Sequence, residues 1–106
     1  MNINLTSKDV LAIECALSVL PEYDVFNEIA ESDKVVEIAT GAFSNLSAHR
    51  PLTNQQTYLV SLAIDYAVQA LNGELSISPD GLADLRPHSS TLVKLHPAFL
   101  PFLDMI

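Results

Sequence analysis

The segment from Tyr58 to Leu71 constrains the fold of this chain more than any other. Eleven of its fourteen residues are apolar, and the three polar ones, Ser61, Asp65 and Gln69, recur every four residues. That period places them on one narrow stripe of an α-helix, so most of the helix circumference must be covered by other parts of the protein. The pattern predicts either the central helix of a bundle or a helix that also lies in a subunit interface.

Two capping boxes mark helix starts. Thr53 is followed three residues later by Gln56, directly before the apolar segment, and Thr6 is followed by Asp9 in the same way. In this motif the two side chains satisfy each other's free backbone N–H groups at the first turn of a helix. The box at Thr6 and Asp9 predicts a helix over residues 7–20.

The segment between these helices, residues 22–48, also has apolar residues at helical spacing. Pro21 can serve as the first residue of a helix, and Ser32 followed by Asp33 offers a further cap inside the segment. The pattern leaves open whether residues 22–48 form two helices or one kinked helix.

The pattern changes after Gly73. Residues 74–78 alternate between polar and apolar side chains like a short strand, and Pro79-Asp80-Gly81 is typical of a turn. A short β-hairpin with residues 82–85 is therefore a candidate, while Pro97 and Pro101 divide the remainder. We expect one mainly α domain over residues 1–106, a bundle of three or four helices with an irregular C-terminal segment, residues 74–106, packed on it.

Composition excludes several classes of protein. The chain has 106 residues, is 49% apolar, and carries 5 Lys and Arg against 13 Asp and Glu, which gives a formal net charge of −8. A chain this rich in apolar residues is expected to fold, and its length suits one domain. Five scattered cations make no patch for phosphates, so we expect no direct contact with nucleic acid or with an anionic membrane.

The single cysteine, Cys15, lies in the apolar run from Val10 to Leu20 and is expected to be a buried, unreactive thiol. No leader peptide is recognisable at the N-terminus, and the longest uncharged stretch, residues 51–64, is too short for a membrane span. We therefore expect a soluble, cytoplasmic protein.

The motifs of common enzymes are missing from the sequence. Its three glycines do not cluster into a phosphate-binding loop, and it contains no G-x-S-x-G, H-E-x-x-H or Cys-x-x-Cys pattern. His49, His88, His96 and Cys15 match no spacing rule for zinc ligands. We expect a non-catalytic protein with no metal and no cofactor.

Residues 22–37 hold most of the net charge, with six acidic residues against Lys34. Acidic side chains on a helix can steer association with a basic protein, although they can equally be a solvated face. The apolar tail, residues 98–106, either packs on the helices or lies in an interface. The predicted partner-binding residues are Glu22, Asp24, Glu28, Glu31, Phe99, Leu100, Phe102 and Leu103.

Asp65 is the only charged residue between Arg50 and Glu74. It can reach solvent along its polar stripe, pair with a cation such as Arg50, or line a ligand site. The residues of that alternative site are Tyr58, Ser61, Asp65 and Gln69.

These features together predict a protein-binding module, of the kind found in small acidic inhibitors or antitoxin-like accessory proteins, that covers a basic partner surface. We also expect self-association into a homo-oligomer, because the apolar surface exceeds what one small core hides. The alternative is a small-ligand binder that holds a metabolite or nucleotide between its helices.

Overall fold

The computed structural model describes residues 5–23 and 32–104. This part of the chain contains four α-helices of 11 to 18 residues and one of 7 residues, which confirms the predicted mainly α bundle. The α-helices are α1 (Ser7–Ser18), α2 (Ser32–Ser47), α3 (Asn54–Leu71), α4 (Pro79–Leu85) and α5 (Ser89–Phe99), and short 3-10 helices cover Leu20–Glu22, Arg86–His88 and Leu100–Asp104.

Both predicted capping boxes are present. Thr6 Oγ1 accepts a hydrogen bond from the Asp9 N–H at 3.2 Å, and Asp9 Oδ2 accepts one from the Thr6 N–H at 3.0 Å. Thr53 and Gln56 repeat the arrangement at the start of α3. Each box satisfies backbone donors that have no acceptor within the helix, so both starts agree with the prediction.

Helix α3 occupies the centre of the bundle, which is one of the two arrangements predicted for its apolar segment. It packs against α1, α2, α4 and α5. Its apolar side chains Leu59, Val60 and Ile64 are buried among those of the surrounding helices. The helix ends at Leu71, and Gly73 follows with a positive φ of 77°. Glycine adopts this left-handed conformation without strain, which explains the stop.

The predicted β-hairpin is wrong. In the described residues, β-structure is limited to an isolated antiparallel bridge between Tyr23 and Ile77. Ser78 Oγ accepts a hydrogen bond from the Gly81 N–H at 3.1 Å and so begins helix α4, with Pro79 at the first helical position. Proline is as well suited to the first turn of a helix as to a turn, and the sequence pattern did not separate the two uses.

The C-terminal segment is likewise helical where an irregular structure was predicted. Helix α5 continues through Pro97. Proline cannot donate a hydrogen bond to the carbonyl of Val93, four residues earlier. Both residues are exposed, so that carbonyl can be solvated by water. This explains how the helix tolerates an internal proline.

The division of residues 22–48 is settled only in part. Helix α2 begins at Ser32, beside the predicted cap. Residues 24–31 lie outside the described residues, so the choice between one kinked helix and two helices stays open.

Candidate functional site

Helix α5 has one apolar face that is buried and another that is exposed. Leu92, Leu95 and Phe99 point into the core and are at most 5% exposed. On the other side, Val93 is 53% exposed and Leu100 is 41% exposed. These two residues lie seven positions apart, roughly two helical turns, and therefore share one side of the helix.

Pro97 and Pro101 are also exposed and extend this surface. Together with Val93 and Leu100 they form what we call the α5 face. Leu11, which is 59% exposed on α1, is the other large exposed hydrophobic residue of the described chain. Several exposed apolar side chains on one helix face are typical of protein-interaction surfaces, whereas one exposed leucine is ordinary.

Two cations lie in the segment that carries the α5 face. Residues 85–103 contain no Asp or Glu, although the whole chain has thirteen of them. Arg86 and Lys94 lie in this segment and are both exposed. Asp84 and Asp104 directly flank this segment, so residues 84–104 together carry no formal net charge.

The four tail residues predicted to bind a partner have different environments. Phe99 is fully buried, so it belongs to the core and not to the surface. Phe102 and Leu103 are half-buried, and the Phe102 ring lies with its centroid 6.1 Å from that of Phe99. Leu100 is exposed on the α5 face. Helical periodicity explains the split, because residues 99 and 100 lie about 100° apart around the helix axis.

Of the four predicted acidic residues, Glu22 lies within the described chain. It is half-buried, and its Oε1 accepts a hydrogen bond from Ser78 Oγ at 2.7 Å. Ser78 is the residue that caps α4, so Glu22 holds the start of that helix. Asp24, Glu28 and Glu31 lie outside the described residues. Glu37, a further acidic residue of this segment, lies on α2 and is exposed.

The predicted ligand stripe contains an unforeseen pair. His96 Nε2 lies 2.8 Å from Asp65 Oδ1, and Gln69 Nε2 donates a hydrogen bond to Asp65 Oδ2 at 2.8 Å. The His96 and Asp65 side chains are 24% and 21% exposed. Both oxygens of the carboxylate already have protein partners, so the cluster does not present a free carboxylate to a ligand.

The other members of that stripe and its suggested cation are engaged elsewhere. Ser61 is buried and donates a hydrogen bond to the Thr57 carbonyl at 2.7 Å. Arg50 donates to Ser44 Oγ at 3.1 Å. Tyr58 is half-buried. The sequence signal that could have found the His96 pair is the isolation of Asp65, which required a partner from a distant part of the chain.

Burial raises the pKa of two side chains, Cys15 and Tyr23. The Cys15 thiol is half-buried and donates to the Asp84 carbonyl at 3.3 Å. Burial raises the pKa of this thiol, and the negative charge of Asp84 raises it further. Tyr23 is fully buried, and its hydroxyl has no hydrogen-bond partner among the described residues. Burial raises the pKa of Tyr23 well above its usual range.

A groove lies between α2 and the start of α3. Its volume is about 490 Å³. Gln56 is held there because its Oε1 accepts hydrogen bonds from Asn45 Nδ2 at 2.7 Å and from the Thr53 N–H at 3.0 Å. A Cβ at Gly41 would lie 2.6 Å from Gln56 Nε2, so glycine permits the close approach. The groove is lined by Lys34, Glu37, Ile38, Gly41, Thr53, Gln55 and Gln56.

The described residues hold neither a metal-ligand cluster nor a membrane-spanning helix. Within residues 5–23 and 32–104, no group of three or more His, Cys, Asp or Glu side chains could hold a metal ion. None of the helices in those ranges is long and apolar enough to cross a membrane.

The chain matches no protein-family model, and neither a curated protein nor a solved structure is detectably similar to it.

Proposed function

We propose that this chain is a non-catalytic protein-binding module whose acidic surface covers a basic surface of a partner protein. An inhibitor or an antitoxin-like accessory protein would work in this way. The observation that carries the proposal is the concentration of charge in residues 22–37, which hold six of the thirteen acidic residues. Such a concentration of negative charge attracts a basic partner towards that segment.

The exposure of Glu37, which belongs to residues 22–37, supports this reading. Glu74, Asp80 and Asp84 are also exposed but lie outside that segment, which makes Glu74 and Asp84 suitable control positions. The segment of highest acidic density, residues 22–37, carries a local charge of −5. Glu22 has a structural partner, so the proposal assigns the contact chiefly to Asp24, Glu28 and Glu31.

Such a module would be a soluble, cytoplasmic protein that self-associates and has no direct contact with nucleic acid. The scarcity of cations supports the last point, because five Lys and Arg residues neutralise few phosphates.

A capture experiment tests the proposal. The tagged full-length protein is used as bait in extracts of its native cells, at low salt and at about 0.5 M NaCl, where charge attraction is largely screened. We expect a stoichiometric basic protein to be retained at low salt and released at high salt. The variant Asp24→Asn/Glu28→Gln should retain less of it, whereas Glu74→Gln/Asp84→Asn, with the same change in net charge, should behave as the wild type.

The second candidate function is binding of a small ligand, and the groove between α2 and α3 favours it. Its volume of about 490 Å³ lies in the range of known ligand pockets. The groove is distinct from the stripe of Tyr58, Ser61, Asp65 and Gln69. If the bait returns without a protein but with a stoichiometric small molecule, this second function is supported and the first is contradicted.

A further inference from the structure

The groove between α2 and the start of α3 holds a side-chain amide in a fixed orientation. Gln56 Oε1 accepts hydrogen bonds from Asn45 Nδ2 at 2.7 Å and from the Thr53 N–H at 3.0 Å. A backbone N–H group can only donate, so the amide atom that faces it must be the oxygen. The Nε2 atom of Gln56 is thereby turned away from these two partners and lies against Gly41.

The Gln56 Nε2 group is a hydrogen-bond donor that has no acceptor among the described residues. A Cβ at position 41 would lie 2.6 Å from Nε2, so glycine leaves room for the amide inside a helix, where alanine is otherwise more favourable. An amide whose oxygen is already engaged offers N–H groups alone. It therefore selects a ligand group that only accepts hydrogen bonds, such as a carboxylate, over another amide.

Charged side chains of opposite sign lie on the two sides of Gly41. Glu37, which is exposed and lines the groove, is one helical turn before it. Ser44, three residues after Gly41, accepts a hydrogen bond from the Arg50 guanidinium at 3.1 Å, so a cation lies about one turn beyond it. A complementary ligand carries an anionic group near Gln56 and a cationic group near Glu37.

The net charge of the groove favours a ligand without net charge. The residues that line it include one cation, Lys34, and one anion, Glu37. A doubly charged anion, such as a phosphate monoester, is disfavoured because the whole chain has a formal net charge of −8. A zwitterion has one charge of each sign and meets no net repulsion.

The spacing of the two polar positions sets the length of the ligand. Glu37 and Gly41 are four residues apart on α2, which is about 6 Å along the helix axis. An extended peptide spans about 3.5 Å per residue, so a dipeptide reaches about 7 Å and a single amino acid half of that. Ile38, which is half-buried in the same groove, provides an apolar contact for a ligand side chain.

We propose that the groove between α2 and α3 binds a zwitterionic dipeptide, with its carboxylate on Gln56 Nε2 and its ammonium group on Glu37. The inference rests on the second candidate function, small-ligand binding, and adds the ligand class and the two polar contacts. Lys34 lies on the outer side of Glu37, three residues earlier, and takes part in neither contact.

A series of small probes tests the ligand class on the whole wild-type chain. Glycyl-leucine should cause saturable shifts of the Gln56 side-chain and Gly41 backbone signals in proton–nitrogen correlation spectra, with a dissociation constant of about 1 mM or below. Glycyl-leucinamide lacks the carboxylate, N-acetyl-glycyl-leucine lacks the ammonium group, and leucine is too short. Each of these three should bind at least about tenfold more weakly.

Gln56→Glu tests the carboxylate contact without removing the helix cap. The new carboxylate still accepts from Asn45 and from the Thr53 N–H, but the donor becomes a negatively charged acceptor. The affinity for glycyl-leucine should fall at least about tenfold. Gly41→Ala should also weaken binding, because its Cβ displaces Nε2, although alanine favours the helix. Circular dichroism verifies that each variant is folded, and the probe series on the wild type decides if one is not.

Two variants of α2 test the ammonium contact. Glu37→Gln should weaken the binding of glycyl-leucine but not that of N-acetyl-glycyl-leucine, since the acetylated probe has no ammonium group. Lys34→Gln is the matched control, because it removes a charge from the same groove. It should change the affinity for glycyl-leucine by less than about twofold.

Four results would overturn the proposal. They are the absence of saturable shifts up to about 10 mM glycyl-leucine, equal affinity for its amide, unchanged affinity in Gln56→Glu, and a loss in Lys34→Gln as large as that in Glu37→Gln. If glycyl-leucine does not bind but the bait of the capture experiment returns with a small molecule of another class, the second candidate function stands and this inference alone fails.

Discussion

His96 Nε2 lies 2.8 Å from Asp65 Oδ1 and thereby joins helix α5 to the central helix α3. Gln69, one turn further along α3, holds the other carboxylate oxygen. The pair lies next to the segment that carries the α5 face, because His96 is adjacent to Pro97. It therefore helps to fix the position of helix α5 relative to the core.

Asp65→Ala should lower the free energy of unfolding by about 1–2 kcal/mol, because it leaves His96 and Gln69 without their acceptor in a partly buried position. Urea unfolding measures the change. Glu74→Ala removes an exposed carboxylate and should change the stability by less than about 0.5 kcal/mol. Equal effects of the two substitutions would show that the pair contributes nothing to stability.

Tyr23→Phe should stabilise the protein by about 1 kcal/mol, because a buried hydroxyl without a hydrogen-bond partner is unfavourable. The phenylalanine ring keeps the edge-on contact with Tyr66, whose centroid lies 5.3 Å away. Thermal and urea unfolding measure the change. Tyr58→Phe, at a half-buried residue, is the control and should be nearly neutral. A clear loss of stability in Tyr23→Phe would mean that the hydroxyl has a partner.

Tyr23 should also make the protein sensitive to alkaline pH. Burial raises its pKa in the folded state, so above about pH 10 the unfolded chain releases the proton while the folded chain retains it. The contribution of Tyr23 to the free energy of unfolding is then fully present below about pH 10. It is lost as the pH rises, by about 1.4 kcal/mol per pH unit. Tyr23→Phe should remove that share of the slope, while the smaller share from Tyr66 remains. Urea unfolding at several alkaline pH values measures the free energy of unfolding. If it falls with pH equally steeply in the wild type and in Tyr23→Phe, this prediction is contradicted.

The Cys15 thiol should react slowly with thiol reagents in the native protein. Its pKa is raised by burial and by Asp84, which lowers the fraction of reactive thiolate, and the thiol donates to a backbone carbonyl. Labelling at pH 8 should speed up severalfold on denaturation. Asp84→Asn removes the nearby charge and should modestly raise the native rate. Fast native labelling would show that the side chain is more accessible than the structure indicates.

Local signals in the sequence predicted the first and third α-helices well. The capping boxes at Thr6 and Thr53 depend on residues three positions apart, so the sequence alone can show them. The C-terminal helices were missed for an equally local reason. Pro79 and Gly81 favour a turn by residue type, and only the hydrogen bond from the Gly81 N–H to Ser78 distinguishes a helix start from a turn.

The candidate site was harder to predict because its contacts are distant in sequence. Asp65 and His96 are 31 residues apart, and Glu22 and Ser78 are 56 apart. The isolation of Asp65 indicated that it needed a partner but not which one. The α5 face was hidden by the expectation of an irregular tail, since without a helix nothing separates buried Phe99 from exposed Leu100.

The ionic-strength dependence of association with the captured basic partner tests the central claim most directly. Stopped-flow measurements from about 0.05 to 0.5 M NaCl should give an association rate that falls steeply with salt, since steering by opposite charges is screened. Asp24→Asn/Glu28→Gln should associate more slowly and with a flatter salt dependence, while Glu74→Gln/Asp84→Asn should match the wild type. Unchanged rates and slopes in the first variant would contradict the claim that the acidic segment is the binding surface.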